Sequence, residues 1–138
     1  MKVEVKQVDG VTWMASGPSG HGYIIDGAPS IGGQNLGPRP MELILSGLGG
    51  CTAMDIISTL KKQRQRVTDC RITVDAKRAE TIPKVFTHIH VHYHVYGEQL
   101  KETAVKRAIE LSMGTYCSVS KMLSATVELT YEYTCYGD

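Results

Sequence analysis

Apolar and polar residues alternate from the first positions of the chain. Val3-Glu4-Val5-Lys6-Gln7-Val8 has the two-residue period of a strand, Asp9-Gly10 is a turn signal, and Val11 to Ala15 predicts the returning strand of a hairpin. A third strand is predicted over His21 to Asp26. Gly27 to Arg39 then holds four glycines and two prolines, too many turn formers for regular structure, and is long enough to be functional. Pro40 suits the first position of a helix, where its missing N–H costs nothing. From Met41 to Leu60 apolar residues cover most of the helix circumference, which predicts a central buried helix.

Gly47, Gly49 and Gly50 cost that helix about 1 kcal/mol each relative to alanine. They predict a bend, a restart, or close approach of another backbone, any of which would put Cys51 near freed N–H groups at a helix start. Two strands follow over Cys70 to Ala79 and Val85 to Tyr96. A second amphipathic helix is expected over Glu98 to Met113, capped by Gly114, then a short helix over Ser118 to Leu123 and a last strand over Ala125 to Thr134. The order predicts an α+β fold, one domain over residues 1–138 with a sheet wrapped against a central helix.

A net charge of +1 leaves no electrostatic footprint for nucleic acid or an anionic membrane. Lys61, Lys62, Arg64 and Arg66 read as cations closing a helix. The opening Met-Lys-Val-Glu-Val-Lys has no signal-peptide core, and no stretch is expected to reach the ~20 apolar residues that span a bilayer. A cytoplasmic protein with reduced thiols is therefore expected. The four cysteines (Cys51, Cys70, Cys117, Cys135) then argue against a disulfide framework, and no Cys-x-x-Cys pair suggests zinc. No metal and no cofactor is expected.

Cys51 follows two glycines, a setting that frees backbone amides and favours thiolates, with Asp55 one turn onward on the same face. Cys117 precedes a predicted helix with Lys121 one turn later. Each thiol is either a small core hydrophobe or a reactive group, and spacing alone does not bring the two together. Glu42 and Arg39, at the mouth of the long helix, are either surface charges or a carboxylate and cation for a thiolate. The row His88, His90, His92, His94 occupies one face of a strand; it reads as a solvent-facing surface, with metal binding the weaker alternative and no obvious carboxylate nearby. Cys70 and Cys135 fall on strands and receive no role.

The segment Asn35-Leu36-Gly37-Pro38-Arg39-Pro40-Met41-Glu42-Leu43-Ile44-Leu45-Ser46-Gly47-Leu48-Gly49-Gly50-Cys51 resembles the OsmC/Ohr family of thiol peroxidases, and within it the YhfA-like branch. Cys117-Ser118-Val119-Ser120-Lys121-Met122-Leu123 is similar to the family's second cysteine element. The resemblance implies antiparallel sheets around a long buried central helix, in an intertwined homodimer with active sites at the interface. It implies reduction of small organic hydroperoxides, with Cys51 peroxidatic, Cys117 resolving, and an external dithiol restoring both. The family's glutamate after the helix-opening proline is Met41 here, with Glu42 one residue later; no arginine precedes Arg39, and the proline after the second cysteine is Ser118. The retained cysteines favour an enzyme in which Arg39 and Glu42 substitute for the activating pair. The altered pair favours a non-enzymatic relative that binds a small apolar ligand or senses oxidation at the dimer cleft. Met41, Leu45, Leu48 and Met54 are the expected apolar wall around Cys51.

Overall fold

The computed structural model describes residues 1–137, which sort into two compact units, Met1–Leu45 and the chain from Ser46 onward. In the first unit, strands β1 (Glu4–Asp9), β2 (Thr12–Ser16) and β3 (Gly22–Ile25) form an antiparallel sheet in chain order. Gly10 turns the hairpin with φ +54°, a conformation that costs glycine little. The loop after β3 is organised by a residue the apolar pattern ignores. Asp26, only 1% exposed, accepts the Thr12 hydroxyl (3.0 Å) and three backbone N–H groups, from Gly27 (2.8 Å), Gln34 (3.1 Å) and Leu36 (3.0 Å). One carboxylate thus satisfies amides that the irregular segment would otherwise leave unpaired. Gly33 and Gly37 have no room for a Cβ, because the Gly27 and Ile24 carbonyls lie against them.

Helix α1 (Pro40–Lys62) opens with the Glu42 carboxylate accepting the Arg39 N–H at 2.6 Å. It runs unbroken for 23 residues, so of the alternatives expected at the glycines the restart does not occur, and Cys51 lies in mid-helix. At Gly49 a Cβ would meet the Val74 side chain at 3.5 Å, an ordinary contact with a side chain and not with a backbone. The helix ends in a Schellman arrangement: Gln65 N–H donates to Leu60 O and Arg64 N–H to Lys61 O, each at 3.0 Å, with Arg64 itself left-handed (φ +57°). Only two carboxylates, Glu42 and Asp55, interrupt the run before the closing lysines. By length and composition α1 is therefore apolar enough to cross a bilayer, contrary to the expectation that no stretch would be. Its stripe Leu48, Thr52, Ile56, Leu60 is fully buried in the fold, while Ile44, Met54 and Ile57 stay exposed, so within one chain the helix buries one face and not the whole circumference expected.

In the second unit β4 (Arg66–Arg78) pairs antiparallel with β5 (Phe86–Glu98), and β6 (Glu128–Gly137) pairs with the other edge of β5. That last pairing is parallel, which corrects the expectation of wholly antiparallel sheets. Ile89, Val91, Tyr93 and Val95 of β5 bury one face, joined by Val105, Ala108 and Ile109 of α2 (Glu102–Leu111). Helix α2 starts four residues later than its apolar stripe predicts, because β5 continues to Glu98 and Gln99 turns left-handed (φ +50°). Gly114 does not cap it; Ser112–Tyr116 form a wide turn closed by Cys117 N–H to Ser112 O at 2.8 Å, which leads into α3 (Ser118–Leu123).

The amide N–H groups, with Leu36 first, hold the Asp26 carboxyl below its ordinary 3.8, while burial opposes them. A group depressed on folding stabilises above its unfolded value, and that contribution disappears as pH falls through the folded value. Asp26→Asn is expected to lower the unfolding midpoint at neutral pH and to flatten its decline between about pH 5 and pH 2. Thermal unfolding followed by circular dichroism across that range checks both effects.

Candidate functional site

Cys51 and Asp55 lie one turn apart on α1, and the wide turn after α2 returns Cys117 to them. The two sulfurs and an Asp55 carboxylate oxygen lie within 4.8 Å of one another. All four cysteines are free thiols; Cys117 is 2% exposed and Cys51 and Asp55 are partly buried. Cys117 is also the N-cap of α3, its Sγ accepting the Ser120 N–H at 3.4 Å. Burial pushes the Cys117 thiol above its ordinary 9.0; the Ser120 N–H pulls it down and hydrogen bonding with Cys51 pushes it up again.

Asp55 is held by a chain of hydroxyls. Its Oδ2 accepts the Ser112 hydroxyl at 2.8 Å; Ser112 and Thr52 hydroxyls lie 2.7 Å apart, as do those of Thr52 and Tyr93. Thr52, Ser112 and Tyr93 are each fully buried. A hydroxyl has one proton to donate. Ser112 spends its proton on a carboxylate, so Thr52 must donate to Ser112, and Tyr93 to Thr52. Burial raises the Tyr93 hydroxyl to about 12, against the bond with Thr52 that lowers it, which keeps the first donor of the chain protonated. Every hydroxyl in the series therefore points toward Asp55. Beyond the carboxylate an open groove of about 620 Å³, lined in part by Ser58, Lys62, Leu111 and Tyr116, gives access from solvent.

The sequence alone missed Thr52, Ser112 and Tyr93. Thr52 carried a legible signal, being the polar member of the i, i+4 series Leu48, Thr52, Ile56, Leu60. Arg39 donates to Asn35 Oδ1 (2.7 Å) and the Gly37 carbonyl (3.1 Å), so with Glu42 it braces the loop before α1. Leu48 is fully buried, whereas Met54 is 76% exposed and forms no wall within the chain. Lys121 is exposed in the last turn of α3. Cys70 and Cys135 flank Val95 from the neighbouring strands, partly buried, and burial raises both thiols.

The histidine row has carboxylate partners that strand periodicity could not foresee, since they come from the parallel neighbour β6. His88 Nε2 meets Glu128 at 2.8 Å, His90 Nε2 meets Glu132 at 2.7 Å, and His92 Nδ1 meets the other Glu132 oxygen at 3.2 Å. His94 bonds the Tyr136 hydroxyl at 2.9 Å and stacks on His92 with ring centroids 3.9 Å apart. The face is a half-polar surface, as expected, but a paired one.

Residues 32–132 match the family model for OsmC-like protein, a span that includes both site cysteines. The chain is 42% identical to Protein YhfA of Escherichia coli (strain K12) over 96% of each protein. A solved structure of a hypothetical protein from Aquifex aeolicus VF5 is 29% identical, with a TM-score of 0.81 over 97% of this chain and 96% of that one. The organic hydroperoxide resistance protein OhrB of Bacillus subtilis, 19% identical, shares the fold with a TM-score of 0.64 over 96% of each chain. An α+β fold with paired helix thiols, matched in this way, belongs to the OsmC family.

Thr52→Val keeps the shape of the side chain and removes the shared hydroxyl, leaving Tyr93 and Ser112 without their common partner. The expected loss is about 1–3 kcal/mol of stability, measured by denaturant unfolding. Tyr93→Phe, which removes only the first donor, is expected to cost less.

Proposed function

We propose that this protein is a thiol-dependent peroxidase that reduces small organic hydroperoxides, acting in the cytoplasm in defence against oxidative stress. The observation that carries the reading is the approach of the Cys51 and Cys117 sulfurs to within 4.8 Å beside a fixed carboxylate. Membership of a family whose fold also serves organic hydroperoxide resistance proteins supports it.

Cys51, as thiolate, attacks the outer oxygen of the hydroperoxide. The O–O bond breaks, Cys51 becomes a sulfenic acid, and the alkoxide takes a proton to leave as an alcohol. Cys117 then attacks the oxidised sulfur: an S–S bond forms, the S–O bond breaks, and hydroxide leaves. Asp55 takes the proton shed by Cys117 and returns it to the hydroxide, giving water. An external dithiol, itself oxidised to a disulfide, restores both thiols. Arg39 and Glu42 serve indirectly in this scheme by bracing the loop that leads into α1.

The working form is a homodimer. Met54 and Ile57 on α1 (76% and 41% exposed) and Val5 and Val8 on β1 leave apolar surface that a second copy would cover. The relative matched over 96% of each protein extends over both compact units, which supports reading them as a single domain.

Cys51→Ser is expected to abolish hydroperoxide consumption with a dithiol reductant, and unchanged consumption would overturn the proposal. Cys117→Ser is expected to stop at the sulfenic acid, seen by mass spectrometry after dimedone trapping. Because the Cys117 thiol is raised above 9.0, its ionised fraction is small at neutral pH and grows through pH 9 and beyond. Disulfide formation in single-turnover mixing should therefore keep accelerating past pH 9. Asp55→Asn should slow that step at pH 7 and matter less as pH rises. Met54→Asp should shift the sedimentation coefficient toward that of a monomer.

A further inference from the structure

We infer that the reduced Cys51–Asp55–Cys117 cluster is a binding site for a thiophilic divalent cation, with zinc the physiological candidate. The three donor atoms lie within 4.8 Å of one another. Zinc bonds sulfur at about 2.3 Å and carboxylate oxygen at about 2.0–2.2 Å, so donors at tetrahedral angles sit about 3.6–3.8 Å apart. Closing the cluster on a metal therefore requires shifts of about an ångström or less, within reach of side-chain motion.

The donor set selects the ion. Two thiolates and one carboxylate suit zinc or its cobalt surrogate and not magnesium or calcium, which take oxygen ligands throughout. The surroundings are those of a supported site. Asp55 Oδ2 accepts the Ser112 hydroxyl and Cys117 Sγ accepts the Ser120 N–H, so two of the three donor residues are held in place by neighbours. An open groove lined in part by Asp55 reaches this carboxylate from solvent. Binding releases the two thiol protons to solvent, giving two metal–sulfur bonds and one metal–oxygen bond with no change of oxidation state. Forming the Cys51–Cys117 disulfide removes both sulfur donors, so metal binding and the oxidised state exclude each other. The inference needs reduced thiols only, and holds whether or not the protein turns over peroxide.

Equilibrium dialysis of the reduced full-length protein against zinc is expected to give one ion per chain. Cobalt should produce a thiolate-to-metal charge-transfer band that disappears on oxidation of the thiols. Cys51→Ser and Cys117→Ser should each lose the band, and Ser112→Ala should weaken zinc binding about tenfold through its hold on Asp55. The double variant His90→Ala, His92→Ala should bind as the wild type does. Zinc should also slow iodoacetamide labelling of Cys51 in the unaltered protein, a readout that does not depend on a variant folding. Failure of one-to-one binding, retention of the band in Cys51→Ser, or its loss in the histidine variant would each overturn the inference. Hydroperoxide consumption by the same metal-free samples reports separately on the catalytic reading.

Discussion

Three hydroxyls with one proton apiece, buried where no water competes, admit a single arrangement once the last of them faces a carboxylate. Tyr93, Thr52 and Ser112 come from β5, α1 and the wide turn, so their mutual bonds tie three separate stretches of chain at one point. The cost of leaving any of them unpaired makes the arrangement all-or-none. Asp55 is oriented by its position at the end of this series, and the thiols meet where Asp55 points. The site depends on ordinary buried hydrogen bonding before it depends on any reactivity.

The thiol environment differs from what an acidic helix start would supply. Cys51 sits within an unbroken helix whose amides are already committed to that helix, and Cys117 is the sulfur that caps a helix. The cap and the burial act in opposite directions on Cys117, and burial prevails. A thiol that ionises reluctantly needs a proton acceptor close by, and Asp55 is the neighbouring group with that chemistry.

Much of this was legible in the chain. Alternation located β1, β4 and β5, turn signals set off β2 and β3, the apolar run located α1, and the two cysteine segments carried the family resemblance. The glycines of α1 misled, because a helical penalty of about 1 kcal/mol per residue is small beside the burial of the Leu48, Ile56 and Leu60 stripe. The Glu98 boundary misled because the apolar stripe of α2 continues backward into residues whose backbone already belongs to β5. Asp26 and the hydroxyl series were invisible for a shared reason: each acts through partners distant in sequence, up to 60 residues apart for Thr52 and Ser112. Local periodicity reports which face a residue occupies and is silent about who stands opposite.

The direction of β6 has a consequence for Cys117. Two strands running the same way cannot be joined by a tight hairpin, so the chain leaving β5 must travel back along the whole sheet before β6 begins. That return path is α2, the wide turn and α3, and Cys117 lies within it. Cys117 thus stands on the crossover that the parallel pairing of β5 and β6 makes obligatory. The position of the second sulfur is therefore tied to a connection that the direction of the last strand requires.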